Sequence, residues 1–356
     1  GRSRVSLEDL PAGTYYAAVN GSGNQTNGYQ LGISSPRSSN SAENIGDWTI
    51  MVYMTADDLE RFAFDDINEM EQAAARLGSS VNIAVLWDQS AAGTTYPTPG
   101  EAAWGDVGRA FIVPDDNPAT IASPFERIGE QNTSQPAALT NFIDWASDQR
   151  PADHYALIMW DHGSGLEGFN LDTNDGISQS DTAFTAEELA GVLSSTGTPI
   201  DVLAFDECLM ATFEVAFSLK DNVDVIVASQ ELEGGAGYDY NGIFRILENT
   251  PTQVTAEQFA SHIVDVYQES YRTGDGFDDT TSALRTSNIA AIATALEQLS
   301  AAALSDDATD QDWQGIVGAV TSSAVYHQSY LRDLGHFLTG IVRDSSIADT
   351  IRSAAD

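Results

Sequence analysis

Two apolar runs in this sequence end in groups able to attack a carbonyl carbon. Tyr155-Ala156-Leu157-Ile158-Met159-Trp160 runs out into Asp161-His162-Gly163-Ser164-Gly165, and Val202-Leu203-Ala204-Phe205 runs out into Asp206-Glu207-Cys208. A thiol with an imidazole beside it can perform nucleophilic acyl transfer, because the ring takes the thiol proton and later returns it to the leaving group. Cys208 is the only cysteine in the chain, so an internal disulfide and every cysteine-rich zinc site are excluded. Taken alone, a single thiol is more often a small core residue than a reactive one. Here its setting argues for reactivity. Polar groups beyond the carboxyl ends of parallel strands collect on one edge of the sheet, so His162 and Cys208 can meet if their strands are neighbours.

The apolar spacing after Cys208 predicts a helix with Leu209, Met210, Phe213, Ala216 and Phe217 on one face. Its dipole would favour a thiolate at the first turn. Asp206 and Glu207 would oppose this by raising the thiol pKa, leaving His162 to supply much of the activation. Gly163 is expected to keep side-chain bulk away from a substrate backbone. Its N–H and that of Cys208 are candidate oxyanion donors.

The elements that must hold these groups alternate. Trp48–Met54, Val81–Trp87, Phe111–Val113, Tyr155–Trp160, Val202–Phe205 and Val223–Ser229 read as strands, most of them continuously apolar, as in a sheet covered on both faces. Helices are predicted over Leu59–Leu77, Pro136–Asp148 and Ala186–Ser194, with a mainly helical stretch beyond about Gln258 that includes Asn288–Leu304 and Tyr330–Val342. The fold class is therefore α/β, a sandwich with a mostly parallel central sheet flanked by helices. Residues 1–35 read as the last hairpin of a β-sandwich-like accessory module, 36–47 as a Ser/Asn-rich linker, 48–285 as the core and 286–356 as a mainly helical extension. Trp48, Tyr53 and Trp160 are expected to pack in the core or at its rim. Glu69 and Glu71 are expected on a solvated helix face, and His154, His262, His327 and His336 in structural roles.

The charge is extreme. Fifteen Lys and Arg against 53 Asp and Glu give a formal −38, and Lys220 is the single lysine. Such a surface argues against nucleic acid and anionic membranes as partners, and favours cationic ones. It suits a secreted or salt-exposed protein. No apolar run is long enough for a membrane span, and a monomer is expected.

Four segments together resemble the clostripain family of cysteine peptidases. They are Trp48-Thr49-Ile50-Met51-Val52-Tyr53-Met54-Thr55-Ala56-Asp57-Asp58-Leu59-Glu60, then Asp66-Ile67-Asn68-Glu69-Met70-Glu71, the His162 segment with Pro151-Ala152-Asp153-His154-Tyr155 before it, and Asp201–Met210 around Cys208. The resemblance implies a caspase–hemoglobinase-like fold, a His162–Cys208 dyad, and Asp206 as the acid that binds a basic side chain at the cleavage point. An arginine guanidinium against that carboxylate would be a charge-assisted, often bidentate pair. Ser229-Gln230-Glu231 and Gly237-Tyr238-Asp239-Tyr240 are similar to family loops lining the same pocket. The implied partners are proteins or peptides with basic residues. Some family members cut themselves between the two motifs, but no Lys or Arg lies between Gly163 and Glu207, so self-cleavage there is not expected. No cofactor is required by a thiol mechanism. Calcium remains open, because Asp172, Asn174 and Asp175 superficially look like a calcium loop, although no glutamate sits at its twelfth position. Two other classes fit the pattern less well: a non-catalytic adhesion module, and a thiol hydrolase or transferase acting on a non-peptide acyl group.

Overall fold

In a computed structural model of the chain, residues 45–56, 58–89, 104–172, 183–272 and 280–356 are described. The expected accessory hairpin and most of the expected linker lie outside the described residues.

The first strand, β1 (Gly46–Thr55), starts two residues before the apolar run suggested. It leads into α1 (Glu60–Ala74), β2 (Val81–Asp88), β3 (Val107–Phe111), β4 (Glu126–Arg127), α2 (Pro136–Gln149) and β5 (Ala152–Trp160). Then come α3 (Ala186–Thr196), β6 (Ile200–Asp206), α4 (Phe213–Leu219), β7 (Val223–Ala228), the one-turn α5 (Tyr240–Ile243), α6 (Ala256–Tyr271) and β8 (Ser282–Arg285). Four helices close the chain: α7 (Ile289–Ala303), α8 (Asp310–Ser322), α9 (Leu334–Arg343) and α10 (Asp349–Ala355).

Among the described residues the sheet has eight strands, in the order β4-β3-β2-β1-β5-β6-β7-β8. The five central strands run parallel. At the two margins β3, β4 and β8 pair antiparallel. Period-two alternation divides the core. Ile50, Val52, Met54, Ile158 and Trp160 pack with α1, α5 and α6 on one face. Met51, Tyr53, Leu157, Met159 and Phe205 pack with α2, α3 and α4 on the other. That double burial is why these strands show no polar alternation. A separate small core, including Leu299, Ile316, Ile341 and Ile351, holds the four terminal helices together.

Three expectations shift. The third strand is Val107–Phe111, earlier than Phe111–Val113, because it pairs with β2 in an antiparallel register that ends at Phe111. The last long helix starts at Leu334 instead of Tyr330, where Asp333 caps it by accepting from the His336 N–H. Neither Glu69 nor Glu71 is a solvated surface group. Glu71 is fully buried and accepts the N–H groups of Ala122 and Ser123, the latter at 2.6 Å, while Glu69 accepts the Tyr240 N–H at 2.9 Å.

Buried polar groups on the strands carry loops. Tyr53 donates its hydroxyl to the Thr133 carbonyl at 2.7 Å in the interior. Tyr53→Phe should therefore leave that carbonyl unpartnered and cost about 1–2 kcal/mol. The expected result is a lower urea midpoint with an unchanged denaturant slope; an unchanged midpoint would show that the bond contributes nothing.

Candidate active site

Three adjacent parallel strands end on the same edge of the sheet. Met54 of β1 is in register with Trp160 of β5, and Trp160 with Asp206 of β6. The next residues on each strand are therefore delivered side by side, with neighbouring strands about 4.8 Å apart. Asp58 follows β1, His162 follows β5 and Cys208 follows β6.

His162 Nε2 lies 3.3 Å from Asp58 Oδ1, and both side chains are about half exposed, at 52%. Each shifts the other. The hydrogen bond from His162 holds the Asp58 carboxyl below its ordinary value, and the Asp58 partner raises the imidazole against the opposing effect of burial. Asp58 was not singled out in the sequence, although it stands in one of the family-like segments. Its signal is the pairing of β1 with β5, which sequence periodicity does not reveal. Asp161 beside them is buried, with Oδ2 accepting the Leu171 N–H, and burial pushes its carboxyl well up.

Gly163 joins the two motifs physically. A Cβ on it would meet the Cys208 carbonyl oxygen at 2.3 Å and Glu207 Cβ at 2.9 Å. The glycine is needed so that the histidine strand can close on the cysteine backbone. A side chain at this position would thus crowd the Cys208 peptide itself. Gly163 also forms an antiparallel bridge with Phe169, flanked by Asn170 N–H donating to the His162 carbonyl at 3.2 Å. Asn170 clasps the strand ends, its amide donating to the Trp160 carbonyl and to Thr55 Oγ1, with its backbone at φ 46°.

No helix begins at Cys208. Cys208 and Leu209 form a turn, and α4 starts only at Phe213, capped by the Thr212 side chain accepting from the Val215 N–H. Leu209 has φ 65°, a left-handed conformation unfavourable for a side chain of this size, and that breaks the helical path. The turn is laced to the residues after β7: Leu209 N–H donates to the Glu231 carbonyl and Ala211 N–H to the Ser229 carbonyl. Phe217, expected on a buried face, is 41% exposed. The helix dipole therefore does nothing for the thiol. Cys208 Sγ instead accepts the Glu233 N–H at 3.3 Å. Burial raises the thiol pKa, the Glu233 N–H opposes that, and the Asp206 charge adds to it. The surroundings therefore disfavour the thiolate in the resting site.

Asp206 is buried beneath the loop after β7. It accepts from the Tyr238 N–H at 3.1 Å and from the Tyr240 hydroxyl at 2.9 Å, and burial lifts it to about 7. Glu233 and Glu207 are buried close by, and burial pushes both well up. The other expected pocket residues differ in exposure. Ser229 is buried, with its hydroxyl turned to the Glu231 carbonyl and Thr280. Asp239 caps α5 by accepting from the Gly242 N–H. Both therefore hold the loop's shape rather than offering free side chains. Gln230 accepts the Tyr326 hydroxyl at the wall of a cavity of about 330 Å³ lined partly by Phe213, Tyr330 and Phe337. Glu231 is partly buried beside the same turn. Of the loop with calcium-like spacing, Asp172 is buried and accepts the Thr133 N–H at 2.8 Å, while Asn174 and Asp175 lie outside the described residues.

The clostripain family model matches residues 52–351, and the chain belongs to that family. Clostripain of Hathewaya histolytica is 29% identical over 225 residues, covering 55% of this chain and 41% of clostripain's own length. Among solved structures, a secreted C11 cysteine protease from Bacteroides thetaiotaomicron, in complex with an irreversible peptide inhibitor, superposes with a TM-score of 0.62. The two are 22% identical, over 87% of this chain and 82% of that one. An inactive zymogen C11 protease from Parabacteroides distasonis also gives 0.62, at 17% identity over 87% and 81%. These likenesses show the α/β fold expected from the sequence.

Gly163→Ala should force the Cys208 turn outward. The expected outcome is a loss of about 1–3 kcal/mol in stability together with slower alkylation of Cys208 by iodoacetamide. Wild-type stability and alkylation would mean that the two motifs do not meet as described.

Proposed function

We propose that the chain is a cysteine endopeptidase that cleaves after basic residues, arginine in preference to lysine. The observation that carries the reading is the delivery of Asp58, His162 and Cys208 to one sheet edge by three paired strands, with Gly163 packed on the Cys208 carbonyl. Because Nε2 faces Asp58, Nδ1 is the nitrogen left to receive the thiol proton. The thiolate then attacks the scissile carbonyl, and the protonated imidazole gives its proton to the departing amine. Water hydrolyses the thioester with the ring again acting as base. The N–H of Gly163 makes no hydrogen bond to another described residue, which suits an oxyanion donor acting with the Cys208 N–H.

Asp206 is proposed to select the basic side chain. Its pKa near 7 reflects a carboxyl held in a poor solvent for charge. A guanidinium entering beside it would favour the ionised form and convert that desolvation into selectivity for a cation. The chain's net charge of −38 would steer basic segments toward the site. Ser229, Gln230, Glu231 and Asp239 shape this pocket through the loop they build.

Hydrolysis of fluorogenic peptides ending in Arg, Lys or Asp tests the reading. Arg peptides should be cut best, and Cys208→Ala and His162→Ala should abolish cleavage. Asp206→Ala should lower Arg cleavage by about tenfold or more while Cys208 stays alkylatable. Absence of thiol-dependent cleavage of every peptide would sink the peptidase reading; undiminished Arg preference in Asp206→Ala would sink the assigned selectivity.

Asp58 acts through His162 as a positioning residue, and a pH profile separates that role from a purely structural one. The base must be neutral to accept the thiol proton, so the acid limb of kcat/KM follows the His162 pKa. Asp58 raises that pKa, so Asp58→Asn should move the limb to lower pH and reduce kcat about ten- to a hundredfold. A limb that stays in place refutes the coupling.

A further inference from the structure

We infer that Asp58, Asp161 and His162 form a binding site for a zinc-type divalent cation, and that its occupancy switches the proposed peptidase off. The second half rests on the peptidase reading; the first does not.

Each of the three residues offers one ligand atom, and these atoms lie within 4.8 Å of one another. The His162 Nε2 to Asp58 Oδ1 separation of 3.3 Å is long for a charge-assisted hydrogen bond, which prefers about 2.7–2.9 Å. It matches the edge of a tetrahedron, because two ligands each about 2.0–2.1 Å from zinc stand roughly 3.3–3.4 Å apart. A third donor within 4.8 Å needs only a small side-chain adjustment to close a face of that tetrahedron.

Asp161 supplies an independent observation. It is 94% buried, its Oδ1 has no hydrogen-bond partner among the described residues, and its Oδ2 is anchored by the Leu171 N–H. A carboxylate with one oxygen fixed by the backbone and the other unsatisfied is the arrangement that orients a metal ligand. A buried unpartnered oxygen is otherwise a cost. The half-exposed Asp58 and His162 side chains give an ion access from solvent, and water can fill the remaining position. Two carboxylates and a neutral imidazole balance a double positive charge. An imidazole in the donor set favours zinc, cobalt or nickel over calcium and magnesium, which take oxygen ligands.

The inhibitory consequence follows from the ring. A cation on Nε2 uses that nitrogen's lone pair, so the single ring proton must sit on Nδ1. Nδ1 is the atom that would take the proton from Cys208. The metal-bound ring cannot accept it, and thiolate formation stops without any contact between metal and sulfur.

The test uses the full chain carrying Cys208→Ala, so that the thiol cannot bind the metal, titrated calorimetrically with zinc chloride in a non-coordinating buffer. One zinc per chain is expected, with Asp58→Asn and Asp161→Asn each weakening binding about tenfold or more. Asp224→Asn, on an exposed position of β7, should leave it unchanged, and excess calcium should not compete. Asp58 is half exposed, so its variant keeps the test decisive should the buried Asp161 variant unfold. No saturable one-to-one binding, equal weakening by Asp224→Asn, or displacement by calcium would overturn the site. In the wild type, zinc should inhibit peptide hydrolysis at concentrations matching the measured affinity, and a chelator should restore it. Binding without inhibition of an active enzyme would overturn the switch. Binding by the Cys208→Ala chain beside a wild type that cleaves nothing would refute the peptidase reading and leave the metal site standing.

Discussion

The parallel pairing of β5 with β6, continued one step past the strands by Gly163 against the Cys208 carbonyl, is the contact on which the site depends. Strand pairing fixes the positions of Trp160 and Asp206. The glycine then lets two turning chains approach more closely than any Cβ would permit. The pairing of β1 with β5 extends the same geometry to Asp58. The three residues follow paired strands, and two of the emerging loops are pinned by backbone hydrogen bonds: Asn170 behind His162, and the carbonyls of Ser229 and Glu231 behind Cys208.

A second constraint is electrostatic. Asp66, Glu69, Asp161, Asp206, Glu207 and Glu233 cluster behind this edge, and burial raises every one of them. Ionising them all in so poor a solvent for charge would be prohibitive. Some lean on neutral donors, as Asp66 does on Trp160 Nε1 at 2.7 Å and Asp206 on the Tyr240 hydroxyl. The interior behind the site is therefore less negative than its composition suggests. A cation arriving there changes the protonation balance, because it stabilises a carboxylate that otherwise stays partly protonated. A chain so acidic overall can thus bury a cluster of carboxyls without filling its interior with fixed negative charge.

Much of this was legible in the sequence. The apolar runs of β1, β2, β5, β6 and β7 showed a sheet buried on both faces, and strand-end logic put His162 and Cys208, 46 positions apart, after strands that do pair. What escaped was set by tertiary contacts. The spacing of Leu209, Met210, Phe213, Ala216 and Phe217 is genuinely helical, but helix propensity from Cys208 onward loses to the hydrogen bonds that tie Leu209 and Ala211 to the loop after β7. Glu71 looks like a surface residue until Ala122 and Ser123, about fifty positions away, place their N–H groups on it. Asp58 carries no local signal that separates it from other acids in its segment, because its partner is chosen by which strand lies beside β1.

Losing the expected helix changes how the thiol must be activated. A helix dipole would have lowered the Cys208 pKa in the resting state. Among the described residues the Glu233 and Cys208 N–H groups oppose burial and the neighbouring Asp206 charge, and the balance raises the thiol pKa. In the proposed mechanism, activation coincides with substrate arrival, when a basic side chain beside Asp206 would remove part of the opposing field and His162 would take the proton. The left-handed Leu209 serves the same end. It halts the helix and leaves the Cys208 carbonyl packed against Gly163. The proposed selectivity and activation would then be coupled through one carboxylate, two residues before Cys208, whose charge state would answer to the substrate.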